Sequence, residues 1–186
     1  MTLRARSPSR IDLAGGTVDL WPLYLLIEEA ATVNLAIDLY TEAAIFPSTD
    51  GKWRVREESS GRERAASTPR ELAKLEGAEI AGRLLTFFAP REPLSIVTRS
   101  DAPPQAGLGA SSSLGVSIAG ALNGLTGFRY HERDLIDIVK DVEVEVLRAM
   151  TGAQDHYPPV YGGASCLWWE KLRHRREPLL VDAAEF

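Results

Sequence analysis

The sequence predicts an α+β fold, because segments with strand character cluster early and segments with helical periodicity come between and after them. The 186 residues suffice for one domain of ordinary size. An apolar fraction of 45% beside 25% charged residues is typical of a soluble globular protein. We therefore expect a single packed domain in which helices cover a sheet.

The strand segments are short and alternate polar with apolar residues, or are apolar and β-branched. Ser7-Pro8-Ser9 separates the first two, and the polar stretch between Asp50 and Arg70 predicts a loop. The segments that we expect to be strands are residues 2–7, 10–15, 31–40, 42–48, 52–58, 93–100 and 164–172.

The first helix is predicted from its start signal. Thr68 can cap the helix, Pro69 suits its first position and Glu71 its third. An apolar face then continues to Leu85, although Gly77 weakens it.

Two further helices follow the strand at residues 93–100. The first repeats apolar residues every three or four positions from Leu114 to Leu125, and its other positions are small, Gly115 among them. Small residues favour close approach of another backbone or a ligand. The second helix is expected from about Glu132 to Thr151.

The stretch DAPPQAGLGASSSLG, residues 101–115, lies between that strand and the first of these helices. Unpaired N–H groups at a helix N-terminus bind anions, and glycines let a ligand approach the backbone. Serine hydroxyls can ligate magnesium or hydrogen-bond phosphate. The alternative is a serine-capped helix after a turn. A Walker loop fits less well because no lysine is present, and a nucleophile elbow needs glycine two residues before Ser113.

Two other stretches place charged residues beside paired glycines. SPSRIDLAGGTVDLWP, residues 7–22, carries Arg10 and Asp19, which suit a polyhydroxylated substrate or, alternatively, a hairpin with a surface ion pair. TGAQDHYPPVYGG, residues 151–163, carries Asp155 in a loop, where it could act in catalysis or merely form a turn.

Composition excludes several other classes. A net charge of −5 argues against nucleic-acid binding, and the apolar stretches are too short for a signal peptide or a membrane span. The lone Cys166 favours a reducing, cytoplasmic setting, and the three histidines lack zinc-ligand spacing.

Together the three stretches resemble the motifs of the galactokinase, homoserine kinase, mevalonate kinase and phosphomevalonate kinase (GHMP) superfamily. PPQAGLGASSS is similar to its Pro-x-x-x-Gly-Leu-Gly-Ser-Ser-Ala signature, and SPSRIDLAGGTVDL to its first motif. GAQDHYPPVYGG is similar to the Gly-x-Gln-Asp-x-Tyr segment of the heptose-phosphate and fucose kinase branch. The resemblance implies an N-terminal ATP-binding domain over residues 1–186, with a mixed or antiparallel sheet and a left-handed βαβ unit.

The resemblance also implies roles for individual residues, with ATP and Mg²⁺ as cofactors. Asp155 would orient or deprotonate the acceptor hydroxyl of a sugar or sugar phosphate, and Arg10 would keep it ionised. Mg²⁺ would be held by Ser111, with Ser112 as the alternative, and by Glu145, with Glu143 as the second choice. The residues implied to contact the nucleotide are Pro104, Gly107, Leu108, Gly109, Ala110, Ser111, Ser112 and Ser113. Those implied to bind substrate are Gly16, Asp19, Gln154 and Tyr157.

Members of this superfamily continue into a second α+β domain with a third glycine-rich motif, which does not follow Gly163 here. The resemblance therefore predicts an N-terminal half, completed by a C-terminal domain or a complementary subunit. Two other functions stay open, a non-catalytic nucleotide- or sugar-binding module and a serine hydrolase that uses Ser113 with His156.

Overall fold

The fold is a seven-stranded mixed sheet with helices packed against it, which confirms the predicted α+β class. It was obtained as a computed structural model, which describes residues 2–171 and 173–180. The strands are β1 (Leu3–Ala14), β2 (Ala31–Pro47), β3 (Trp53–Glu57), β4 (Glu63–Ala66), β5 (Leu94–Ser100), β6 (Ala164–Trp169) and β7 (His174–Leu179). The helices are α1 (Leu23–Leu26), α2 (Pro69–Leu72), α3 (Glu79–Phe88), α4 (Ala110–Leu125), α5 (Glu132–Leu147) and α6 (Tyr157–Tyr161), with a 3₁₀ turn at Gln154–His156.

The long strand β2 organises the sheet. It pairs with β1 on one edge, while its other edge pairs with β5 over residues 41–47 and with β6 over residues 31–35. The full order on that side is β4-β3-β5-β2-β6-β7, and only β3 and β5 run parallel in the described part. The end of β5 and the start of β6 therefore meet beside the middle of β2, where Arg10 of β1 pairs with Ala36.

Helix α4 lies at the centre of the packing. One side contacts β1 and β2, and α3 and α5 cover the other. A Cβ added at Gly115 would come 2.6 Å from Val139 Cγ1, so α5 packs directly against the α4 backbone. This contact confirms the expectation that the small residues of this helix permit close approach.

A second, smaller apolar cluster supports the segment before β6. It lies beneath the 3₁₀ turn and α6 and holds the end of the motif that contains Asp155. Its buried members are Ala30, Ile136, Ala153, Tyr157, Leu167 and Trp169.

Tertiary pairing changed several predicted boundaries among the strands. The two strands expected on either side of Ser7-Pro8-Ser9 form one strand, with a register shift between Pro8 and Ser9. Residues 31–47 likewise form one strand instead of two. Within the region predicted as a loop, β4 pairs with β3. Leu172, the last residue of the strand predicted at 164–172, lies outside the described residues.

The helices differ from prediction mainly at their ends. Thr68 caps α2 as expected, since its hydroxyl accepts from Glu71 N at 3.2 Å. The expected single helix divides into α2 and α3 around Gly77, whose φ is +81°. Helix α5 ends at Leu147, because Arg148 takes a left-handed conformation. No helix in residues 2–171 and 173–180 is long and apolar enough to cross a membrane.

Candidate active site

The glycine-rich loop joins β5 to α4 and lies against β1. Arg10 N donates to Leu108 O at 3.0 Å, which fixes the loop to the strand. Gly107 and Gly109 have φ values of +71° and +67°, a conformation that favours glycine. Gly109 is the N-cap residue of α4, and no side chain in the described part of the chain caps the helix. The first N–H groups of α4 thus lack a side-chain acceptor, and the idea that the serines cap the helix is wrong.

The three serines at the start of α4 have different surroundings. Ser111 is exposed, whereas Ser112 is buried and donates to Glu143 Oε2 at 2.8 Å. Ser113 is fully buried and donates to the carbonyl oxygens of Ser7 and Pro8, each at 3.0 Å. Ser113 therefore joins α4 to β1, and the serine hydrolase hypothesis loses its nucleophile because no substrate can reach this hydroxyl.

Arg10 connects the loop to the segment that contains Asp155. Its Nε and Nη2 atoms donate to Asp155 Oδ1 at 3.0 and 2.6 Å, and Nη1 donates to Gly107 O at 2.9 Å. Nη1 also lies 3.2 Å from Asp12 Oδ2. The Arg10 side chain is almost buried, while that of Asp155 is 28% exposed and can be reached by a ligand. The two residues predicted to be catalytic are thus in direct contact.

Polar side chains make hydrogen bonds to Gln154 and so fix the 3₁₀ turn that contains Asp155. Gln154 N donates to Asp19 Oδ2 at 2.8 Å, and Asn34 Nδ2 donates to Gln154 O at 3.2 Å. Thr32 Oγ1 donates to the Gln154 side chain at 3.1 Å. Asp19, predicted to contact substrate, is itself buried and positions this turn.

Two carboxylates near the Asp155 turn, Asp19 and Asp12, have raised pKa values. Burial raises the pKa of Asp19, although the hydrogen bond from the Gln154 amide partly opposes it. Burial also raises the pKa of Asp12, against the effect of the Arg10 charge.

The other residues predicted to bind substrate occupy three kinds of position. Gly16 is exposed next to Asp12, and Gln154 is half-buried with its Nε2 atom 3.4 Å from Asp12 Oδ2. Tyr157 is 1% exposed and packs edge-on against Trp169. The structure corrects its assignment as a substrate ligand, because its ring belongs to the second apolar cluster.

Of the two glutamates considered for metal binding, the structure brings Glu143 to the serines. Glu143 is buried between Ser112 and His156, whose Nε2 atom lies 3.0 Å from Glu143 Oε2. The ring N–H is not aligned with that oxygen, so this is a close polar contact and not a linear hydrogen bond. Glu145, the first choice, is largely exposed and pairs with Arg83 of α3. The two side chains leave α5 in different directions, as expected for positions two apart on a helix.

Burial alone would raise the pKa of the Glu143 carboxyl. The contact with His156 and the hydroxyl groups of Ser112 and Ser111 outweigh this effect, and the pKa lies below its usual range. Glu143 is therefore ionised at neutral pH.

The region that contains most of these groups matches a known family. Residues 71–163, half of the chain, match the profile of the GHMP kinases N-terminal domain. The chain belongs to the GHMP kinase family. The matched region of this GHMP kinase chain includes the glycine-rich loop, the serines, Glu143 and Asp155, while Arg10 and Asp19 precede it.

Individual relatives support the same placement. The GHMP kinase chain is 29% identical over 169 residues to D-glycero-alpha-D-manno-heptose 7-phosphate kinase of Campylobacter jejuni, covering 87% of this chain and 49% of the relative. It is 27% identical to the L-fucokinase/L-fucose-1-P guanylyltransferase of Bacteroides fragilis, covering 89% of this chain and 20% of that protein. The chain thus spans half or less of the length of these relatives.

A solved structure shares the fold over nearly the whole chain. A D-glycero-D-manno-heptose 1-phosphate kinase from Bacteroides thetaiotaomicron superposes with a TM-score of 0.82 at 22% identity, over 98% of this chain and 61% of that one.

Two polar residues that the structure places beside the predicted ones were not predicted in this role, since Asp12 was not considered and His156 was considered only as a partner of Ser113. Asp12 lies two positions after Arg10 on β1, so strand alternation places both on one face. His156 follows Asp155 directly but points inward, where it contacts Glu143. The first could have been found from the strand period, whereas the second depended on how the 3₁₀ turn is oriented.

Proposed function

We propose that this GHMP kinase chain forms the ATP-binding, N-terminal part of an enzyme that transfers the γ-phosphoryl group of ATP to a sugar or sugar-phosphate hydroxyl. The observation that carries the proposal is the Arg10 fork. One guanidinium contacts Asp155 and the Gly107 carbonyl of the loop, so the acceptor-side carboxylate lies next to the expected phosphate site.

Asp155 is proposed to receive the acceptor hydroxyl. It follows a turn held at Gln154 by Asp19 and Asn34, and Arg10 donates two hydrogen bonds to its Oδ1 atom. A carboxylate fixed in this way can orient the hydroxyl and accept its proton. Because phosphoryl transfer relies on positioning and charge stabilisation, a rigid site is the main contribution required from the protein.

The loop and the start of α4 are proposed to bind the phosphates. None of the side chains that the structure describes caps the backbone N–H groups at the start of α4, and Gly109 lies close to the Arg10 side chain. The anionic phosphates would therefore be close to both the helix N-terminus and a fixed cation.

The residues near Ser112 fit a magnesium ion. Mg²⁺ takes oxygen ligands, commonly one or two carboxylates plus substrate phosphates. Glu143 would supply the carboxylate, with Ser111 or Ser112 as the hydroxyl ligand, and Glu145 is replaced in this proposal because it faces Arg83. The bound ion would neutralise phosphate charge.

The acceptor class is proposed from the carboxylates beside Arg10 and from the relatives. The Asp12 side chain is 19% exposed and lies beside Arg10, so its carboxylate is available to accept from a hydroxyl group. The relatives named above act, by name, on a heptose phosphate and on fucose. A polyhydroxylated acceptor suits this arrangement.

The test is ATP-dependent turnover by the full-length protein with a panel of sugars and sugar phosphates, followed by ADP release. Asp155→Asn should lower kcat by about 100-fold or more, because it removes the group that accepts the hydroxyl proton. Asp141→Asn, an exposed change on α5, is the matched control and should leave kcat unaltered. Magnesium-dependent ATP binding without turnover of any acceptor, or full activity in Asp155→Asn, would overturn the proposal.

A further inference from the structure

Glu143 and His156 form a buried polar pair, and the proposed function assigns a role to Glu143 but none to His156. The His156 side chain is 0% exposed and that of Glu143 is 3% exposed, with Nε2 and Oε2 3.0 Å apart. The same Oε2 atom accepts from Ser112. One carboxylate oxygen thus joins α4, α5 and the 3₁₀ turn.

The contacts of the His156 ring within residues 2–171 and 173–180 offer few polar partners. Among the described residues its Nδ1 atom has no hydrogen-bond partner, and Glu143 is the only acidic group within ion-pair distance of Nε2. An apolar residue would fill this interior position without the cost of desolvating an imidazole. The contact with Glu143 is therefore the reason to consider a role beyond packing.

Contacts of this kind commonly orient the ligands of a metal. A carboxylate that binds metal through one oxygen is held by neighbours that contact the other, and loss of such a neighbour weakens metal binding. Ser112 donates to Oε2 and His156 Nε2 lies 3.0 Å from the same atom, so both neighbours restrict the directions that the carboxylate can take.

We propose that His156 is a positioning residue that fixes Glu143 in the orientation required for the nucleotide-bound divalent cation. This inference rests on the proposed function of Glu143. Because Asp155 and His156 are consecutive, one short turn presents Asp155 to the acceptor and His156 to the metal carboxylate. Metal binding and acceptor positioning are then coupled through this turn.

The variants His156→Gln and His156→Asn test whether His156 acts through its Nε2 atom or only fills space in the interior. Glutamine can place its amide nitrogen where Nε2 of histidine lies, whereas asparagine places it near Nδ1. Mn²⁺ binding to the full-length protein with a non-hydrolysable ATP analogue is measured by electron paramagnetic resonance, which requires no turnover. We expect His156→Asn to weaken Mn²⁺ binding by about 10- to 100-fold and His156→Gln by about threefold or less.

A measurement on the wild-type protein covers the case in which His156→Asn does not fold. The imidazole ¹⁵N signals of His131, His156 and His174 are assigned by the loss of each signal in a variant that replaces that histidine, with His156→Gln used for His156. The His156 Nε2 signal should shift when Mg²⁺ is added to the analogue-bound protein, while those of His131 and His174 stay in place.

The outcomes distinguish this inference from the proposed function. Equal weakening in folded His156→Gln and His156→Asn, no weakening in either, or an unchanged Nε2 signal would overturn the role of His156. Failure of the wild-type protein to bind Mn²⁺ with the analogue would overturn the metal site itself. Metal binding with the expected variant pattern but no phosphoryl transfer would support His156 and contradict the kinase proposal.

Discussion

Replacing Arg10 with lysine tests whether the guanidinium fork organises the site. Lysine keeps the charge but has one nitrogen, so it cannot reproduce the bonds from Nε and Nη2 to Asp155 together with the Nη1 bond to Gly107. At least two of the three hydrogen bonds are lost. A buried hydrogen bond to a charged group contributes about 1.5–3 kcal/mol, and the partial exposure of Asp155 reduces this to roughly 1–1.5 kcal/mol each. We therefore expect Arg10→Lys to lower the free energy of unfolding by about 2–3 kcal/mol.

The assay is urea denaturation at neutral pH, followed by intrinsic fluorescence, with kcat measured on the same samples. Arg4→Lys is the matched control, because Arg4 lies on the same strand and pairs with Glu42 at 3.1 Å but is 67% exposed. An exposed pair contributes about 0–1 kcal/mol, so the control should change stability little.

The comparison of Arg10→Lys with Arg4→Lys shows whether the Arg10 guanidinium organises the site. If Arg10→Lys is no more destabilising than Arg4→Lys, the fork does not hold the loop to Asp155. If Arg10→Lys is destabilised but retains wild-type kcat, the fork supports the fold and the catalytic assignment of Arg10 is wrong.

Three further changes test individual contacts. Gly152→Ala would place a Cβ atom 1.8 Å from Asp19 Oδ2 and should cost about 1–3 kcal/mol of stability in urea denaturation. Gly120→Ala, whose Cβ would lie at an ordinary contact distance of 3.6 Å from Ala5 Cβ, is the control and should be neutral or stabilising. Asp19→Asn should be more stable than wild type at pH 7, because the raised pKa of Asp19 means that folding disfavours its charged form. The difference in stability should disappear as the pH falls below the usual pKa of 3.8, where Asp19 is protonated in both the folded and the unfolded state. A difference that persists below that pH would show that burial of the charged carboxylate is not its origin. Ser113→Ala should lower the free energy of unfolding by about 1–2 kcal/mol, because it removes buried hydrogen bonds. A fluorophosphonate should not label Ser113 in the wild-type protein, and labelling there would show that the hydroxyl is accessible.

Local patterns predicted much of the fold. Apolar periodicity indicated α4 and α5, and the Thr68-Pro69 signal located the start of α2. The patterns failed where pairing across the sheet decided the outcome. Proline within residues 2–15 predicted a break, yet pairing with β2 carries the strand across it with a register shift. The polar residues of β4 gave no strand signal, because only pairing with β3 makes them a strand.

The sequence predicted which segments form the candidate site, but not how their side chains are placed. Loop glycines and the order of Arg10, Asp19 and Asp155 indicated which segments meet, and the fold brings these segments together. The sequence did not show the environment of each side chain. Ser111, Ser112 and Ser113 are identical residues in a row, yet helical rotation leaves one exposed, turns one to Glu143 and one to β1.

The sequence by itself therefore determined the fold class, because apolar periodicity is a local property. Its three motifs, through their resemblance to those of the GHMP superfamily, indicated the family and the segments of the candidate site. Only the tertiary structure decided that Glu143 and not Glu145 faces the serines, that Tyr157 belongs to the core, and that His156 contacts the buried carboxylate. Each of these depends on the direction of a side chain relative to elements distant in sequence, and that direction is set by packing.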